Sequence, residues 1–110
     1  MNKQRRLTSP RNFRDVRREG SSFSDRILVV VVRPNSMCVS RLGVSVGRRV
    51  GKAVIRNRVK RRLREVVKGV PISDGWDIVL IARKGVDMVG FYELSRSSKT
   101  LLGRAGVLVI

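Results

Sequence analysis

Apolar positions along this 110-residue chain follow two different periods. From about Ala53 to Lys68, the residues Ile55, Val59, Leu63, Val66 and Val67 recur at three- and four-residue spacing, which places them on one narrow stripe of a helix. Lys60, Arg64, Asn57, Lys68 and Arg61 fall on the opposite side of the same wheel. Arg26 to Arg33 is a β-branched run that predicts a well-covered strand, and Trp76 to Arg83 reads as another strand. Met37 to Val46 alternates instead. Cys38, Leu42, Val44 and Val46 point one way, and Val39, Arg41, Gly43 and Ser45 the other, as in a strand with two different faces. Pro34-Asn35-Ser36 lies between two of these runs and predicts a turn, hence a hairpin.

Two more helices are predicted. Thr8 or Ser9 caps the first, with Pro10 in its first turn and Gly20 at its end. Within it Phe13 and Val16 share a face, and Arg11, Arg14, Arg17 and Arg18 supply charge. Asp87 is the predicted cap of a last helix reaching Arg104, with Phe91, Leu94, Leu101 and Leu102 on its inner face. Gly47 to Gly51 reads as a connector, and Gly69, Pro71 and Gly75 mark a loop. Residues 1–7 read as a flexible basic tail. The expected order is α-β-β-α-β-α in a single domain spanning 1–110. That is an α+β fold, a single-layer mixed sheet packed by helices.

Charge gives this frame a purpose. Twenty-five basic residues stand against eight acidic ones, a formal net charge of +17. From Arg48 to Arg64 there are nine Lys or Arg residues and no acid, and Glu65 is the first carboxylate after the run. Like charges three or four residues apart weaken a helix, so a segment that keeps them is built for a polyanion that neutralises them. Salt-sensitive attraction to nucleic acid or to an anionic membrane follows. The longest apolar run, Ile27 to Val32, is far short of the roughly 20 residues that span a bilayer. The helical stripe is narrow, aliphatic and without the aromatics of a membrane-surface helix. Met1 to Arg6 is not followed by an apolar segment of signal-peptide length, and a cytoplasmic protein is expected. The single cysteine, Cys38, has no internal disulfide partner and reads as a small buried hydrophobe of a strand.

Stand-alone catalysis is disfavoured. The chain has no His, which removes the commonest general base and metal ligand. One Cys excludes the usual zinc patterns. The acids Asp15, Glu19, Asp25, Glu65, Asp74, Asp77, Asp87 and Glu93 are scattered. Gly43-Val44-Ser45-Val46-Gly47 has the form of a nucleophile elbow but lacks the His partner. No G-x-x-x-x-G-K-[ST] phosphate loop is present.

Gly51-Lys52-Ala53-Val54-Ile55-Arg56-Asn57-Arg58-Val59-Lys60-Arg61-Arg62-Leu63-Arg64 resembles the Arg-Asn-Arg signature helix of the bacterial ribonuclease P protein subunit. Leu42 to Gly51 is similar to the strand and loop before that helix in the family. Asp77 to Lys84 resembles the strand that follows, and Asn12-Phe13-Arg14 with Gly20 resembles the first helix and its end. The resemblance runs in order over about residues 7 to 104. A ribosomal protein shares the charge and size but leaves that ordered string unexplained. An independent metal-dependent nuclease is disfavoured by the missing His and the unclustered acids.

The resemblance implies a small sandwich with a left-handed βαβ crossover, where general chain geometry favours the right-handed form. It implies a protein that binds a large catalytic RNA and the 5′ leader of precursor tRNA, so that the complex removes the leader. Catalysis then belongs to the RNA, which also holds most of the Mg²⁺, and the protein is a monomer in the complex. Arg49, Arg56, Asn57, Lys60, Arg61 and Arg64 match the family's RNA-facing set, and Arg48, Lys52 and Arg58 complete the acid-free run. Phe13 matches an aromatic at the leader cleft, although packing in the core is equally open for it. Arg17 and Val31 stand where relatives often carry aromatics, which shifts leader contact toward charge and apolar surface. Arg41 and Ser45, on the outer face of the second strand, are further cleft candidates. Trp76 is expected to pack.

Overall fold

The computed structural model describes residues 5–109. Eight regular elements follow in order: β1 (Arg5–Arg6), α1 (Pro10–Glu19), β2 (Ser21–Ser24), β3 (Leu28–Pro34), β4 (Arg41–Val46), α2 (Ala53–Lys68), β5 (Trp76–Ala82) and α3 (Phe91–Arg104). They build one mixed sheet in the order β1-β4-β5-β3-β2 with helices on both faces. The α+β class expected from the sequence is the one observed.

Three strand expectations need correction. No hairpin joins β3 to β4, because β5 lies between them, antiparallel to β3 and parallel to β4. The long central strand satisfies both neighbours at once, and α2 carries the chain from β4 to its parallel partner. Ser21–Ser24 forms an edge strand on β3 that the sequence reading missed. Arg5 and Arg6, expected in a flexible tail, pair with Arg41 and Leu42, and the Leu7 N–H donates to the Leu42 carbonyl at 2.8 Å. Leu7 itself is buried. The rest of that expected tail, residues 1–4, lies outside the described residues.

Alternation along the strands separates two cores. Leu28, Val30, Val32, Val44, Val46, Ile78 and Leu80 face α2 and α3, where Val59, Leu63, Val67, Leu94, Leu101 and Leu102 meet them. On the other face Val31 and Val79 lie under α1, with Leu7 and Val16. Ser9 caps α1 by accepting from the Asn12 N–H at 3.4 Å, Pro10 takes its first position, and the Gly20 N–H closes it on the Val16 carbonyl at 2.8 Å. Trp76 is half-buried against the larger core, as expected.

Two further positions differ. Cys38 is exposed and lies outside any strand, because β4 starts only at Arg41. The Asn35 side chain folds the preceding loop on itself, accepting from the Met37 N–H at 2.8 Å and donating to the Val39 carbonyl at 3.1 Å. Asp87 sits in a short 3₁₀ turn, Val86–Met88, and α3 starts four residues later after Gly90. Phe91, assigned to the inner face of that helix, is exposed, and Ser97 and Ser98 join the leucines inside. Among the described residues no helix is long and apolar enough to cross a membrane.

Candidate nucleic-acid interface

The outer face of α2 is the first part of the site. Its buried stripe, Val59, Leu63, Val66 and Val67, is fixed against the sheet and α3. Arg56, Lys60 and Arg64 follow one another at four-residue spacing and are half-buried beside that stripe, and Asn57, Arg58 and Arg61 stand fully outside. Just before α2, the buried Val50 anchors a 3₁₀ turn that presents Arg48 and Arg49 outward, with Lys52 exposed at the helix start. The salt bridges among the described residues involve Arg18, Arg26, Arg33, Arg41 and Lys68. None involves the nine cations from Arg48 to Arg64. Asp15, Glu19, Glu65, Asp77 and Glu93 face other cations, and this face is left without a neutralising acid among the described residues. Arg56 Nε is buried with no hydrogen-bond acceptor, which is costly unless an incoming group supplies one.

The second part is the cleft between α1 and the sheet. Phe13 is half-buried, and its ring covers Gly43. A Cβ at Gly43 would collide with Phe13 Cζ, so only glycine lets the ring sit this deep. One turn further along α1, Arg17 is exposed and forms no ion pair among the described residues. It lines a cavity of about 640 Å³ with Ser45, Ile81, Arg48, Arg49, Arg26, Arg83 and Lys84. Six cations and no acid surround it. Sequence reasoning missed Arg26, Arg83 and Lys84. The pairing of Val46 with Ala82 sets the end of β5 beside the loop after β4, and that register is invisible without the fold. Arg26 is partly neutralised by an ion pair with Glu93, and Arg83 donates to the Asp25 carbonyl at 2.9 Å.

Two cleft candidates do not stand as expected. Val31 is 4% exposed beneath α1, so it supports the cleft floor and is not open to a strand lying in it. Arg41 is at the far end of β4 from the cavity, clamped to Asp77 by Nε–Oδ1 (2.8 Å) and Nη2–Oδ2 (2.6 Å) bonds. Asn35 donates to the same carboxylate at 3.0 Å. Asp77 is itself 4% exposed. Burial raises its pKa, but the hydrogen bonds from Arg41 and Asn35 and the charges of Arg41 and Arg33 outweigh that and hold it below the ordinary carboxylate value.

Asp77→Asn is therefore expected to cost about 2–3 kcal/mol at neutral pH, the loss of a largely buried pair discounted for the partial exposure of Arg41. A carboxylate with a depressed folded pKa stabilises above its unfolded value, about 3.9, and that contribution is lost as pH falls through the folded value. Urea unfolding of both proteins should show a constant gap down to about pH 4, closing below it. A gap independent of pH would contradict this role for Asp77.

The match to a family model described as Ribonuclease P covers residues 1–106. A ribonuclease P protein component from Clostridium kluyveri is 40% identical over 106 residues, which cover 93% of this chain and 95% of that one. Its counterpart from Roseiflexus castenholzii is also 40% identical, over 94% of this chain and 87% of the relative. Among solved structures, the Staphylococcus aureus RNase P protein superposes with a TM-score of 0.86 at 31% identity, covering 97% of this chain and all of that one. The Thermotoga maritima RNase P protein gives 0.80 at 40% identity, covering 90% and 96%.

Proposed function

Since this chain belongs to the ribonuclease P protein family, we propose that it binds the ribonuclease P RNA through the outer face of α2 and receives the 5′ leader of precursor tRNA in the cleft under α1. The observation that carries this reading is the partition of charge. Among the described residues the nine cations from Arg48 to Arg64 have no acid partner, and a cavity with six cations continues from them beneath α1. The turn bearing Arg48 and Arg49 belongs to both surfaces, so one polyanion can follow α2 while a single strand enters beside it. Phe13 over Gly43 supplies one aromatic face, and Arg17 supplies charge one turn later, a combination suited to a strand read by stacking and backbone contact more than by base identity.

The protein acts as a monomer in the cytoplasm, and cleavage of the leader is carried by the RNA with its Mg²⁺. Six of the eight acids of this chain are already engaged by other groups. Asp77 is clamped by Arg41, and Asp25 accepts from Ser97 and two backbone N–H groups. Glu93, Asp15, Glu19 and Glu65 each face a cation. The chain's part is to position RNA strands and screen their repulsion.

Arg17→Ala tests the cleft without disturbing the fold, because Arg17 is exposed and forms no ion pair among the described residues. Removing one single-strand phosphate contact should weaken binding of precursor tRNA by roughly fivefold at 0.1 M salt. Binding of mature tRNA and assembly with the ribonuclease P RNA should not change. The measurement is the affinity of the reconstituted enzyme for substrates with and without a leader. Equal loss for both would remove the leader from this cleft.

A further inference from the structure

Three of the five aromatic residues, Phe13, Phe23 and Trp76, are half-buried against the two cores. The other two are adjacent and exposed at the start of α3, with Phe91 at 51% and Tyr92 at 79%. Met88, in the turn just before them, is 85% exposed. Neither cleft nor core uses this group. Along α3, Tyr92, Arg96 and Lys99 follow at four- and three-residue spacing, all exposed, on the side away from the buried Leu94, Ser98 and Leu101. Arg96 and Lys99 form no ion pair among the described residues. The only acid of α3, Glu93, is taken by Arg26.

We infer that this face of α3 is a second contact surface for the ribonuclease P RNA, with Tyr92 stacking on an unpaired base and Arg96 and Lys99 meeting the adjoining phosphates. The inference rests on the function proposed above, because it extends the surface assigned there to α2. The two helices pack side by side on the same face of the sheet, so the outer surface of one continues into that of the other. The turn carrying Met88 packs against α2 as well. An aromatic flanked by free cations fits a nucleotide, which offers a π-face and a phosphate together. A second copy of this chain is a poor occupant, since each carries a net charge of +17 and two such surfaces repel. The leader is a poor occupant too, because its cleft lies under α1 on the opposite face of the sheet.

The test uses the full chain with the ribonuclease P RNA. Tyr92→Ala should weaken RNA affinity roughly five- to a hundredfold, the range contributed by one stacked base. Tyr92→Phe should keep it, because stacking needs the ring and not the hydroxyl. Arg96→Ala should reduce the salt slope of binding by about one unit. All three variants should melt as the unmodified protein does, since the side chains are exposed. A photo-crosslinking side chain at position 91 should attach to the ribonuclease P RNA. Wild-type affinity in Tyr92→Ala, or a crosslink to a second protein copy or to the leader, would overturn the inference and leave the function proposed for α2 intact. Failure of the unmodified chain to bind the RNA would overturn both.

Discussion

Replacing Arg56, Lys60 and Arg64 together by Ala should lower affinity for the ribonuclease P RNA by a hundredfold or more while leaving the fold as stable as before or slightly more stable. Each phosphate contact contributes about 0.7–0.9 to the slope of log affinity against log salt, so three contacts are worth roughly two orders of magnitude at 0.1 M. The opposite sign for stability comes from the helix. Arg56, Lys60 and Arg64 make two successive like-charge pairs at four-residue spacing, each costing about 0.2–0.5 kcal/mol. None has an acid partner to lose among the described residues, and Arg56 Nε is already an unsatisfied buried donor. Loss of packing by the three aliphatic stems offsets part of the gain. Filter binding at fixed salt and thermal melting of the free protein check the two halves. A variant that binds poorly because it has unfolded would contradict the assignment of this row to RNA.

Gly20→Ala should have the opposite profile, a large loss of stability. A Cβ there would lie 2.6 Å from the Val16 carbonyl oxygen, 2.7 Å from that of Val32 and 2.8 Å from Val31 Cγ1. Two of the three obstacles are backbone atoms, so no side-chain rotation relieves them. The end of α1 must lift from β3, at a cost of about 3 kcal/mol, and melting should fall by more than about 10 °C in a domain of this size. Gly47→Ala is the control. Nothing lies within 4 Å of its Cβ position and its backbone is extended, with φ −77°, so its melting should stay within a few degrees of the unmodified protein. Similar melting of both variants would show that close approach at Gly20 does not hold α1 in place.

Local signals carried much of this architecture. The bounds of α2 were legible because the stripe from Ile55 to Val67 is flanked by Gly51 and Gly69, and those of α1 because Ser9, Pro10 and Gly20 stand where a helix starts and stops. Pairing was less legible. Pro34-Asn35-Ser36 predicts a turn, and a turn does follow β3, but which strand lies beside β3 is decided by β5, some forty residues later. The strand Ser21–Ser24 has one apolar residue in four and extends only because β3 offers an edge. Cys38 was misread because alternation alone cannot show that Asn35 holds residues 35–39 in a closed loop.

The site divides in the same way. The basic row of α2 is written in one stretch of sequence and could be read there. The clamp between Arg41 and Asp77 joins residues 36 apart, and only strand register puts the two on one rung and one face. Arg83 and Lys84 look like an ordinary polar strand end until the sheet sets them beside Arg48 and Arg49. Val31 was placed in the cleft by its position in a resembling sequence, and α1 covers it.

The most direct test of the account is a salt titration of binding to the ribonuclease P RNA, run in parallel for the unmodified chain and for the variant lacking Arg56, Lys60 and Arg64. If roughly five to eight phosphates are neutralised, log affinity falls against log salt with a slope of about −4 to −7, and the variant is shallower by two to three units. A near-flat titration, or equal slopes for the two proteins, would contradict the claim that this face is built to neutralise RNA.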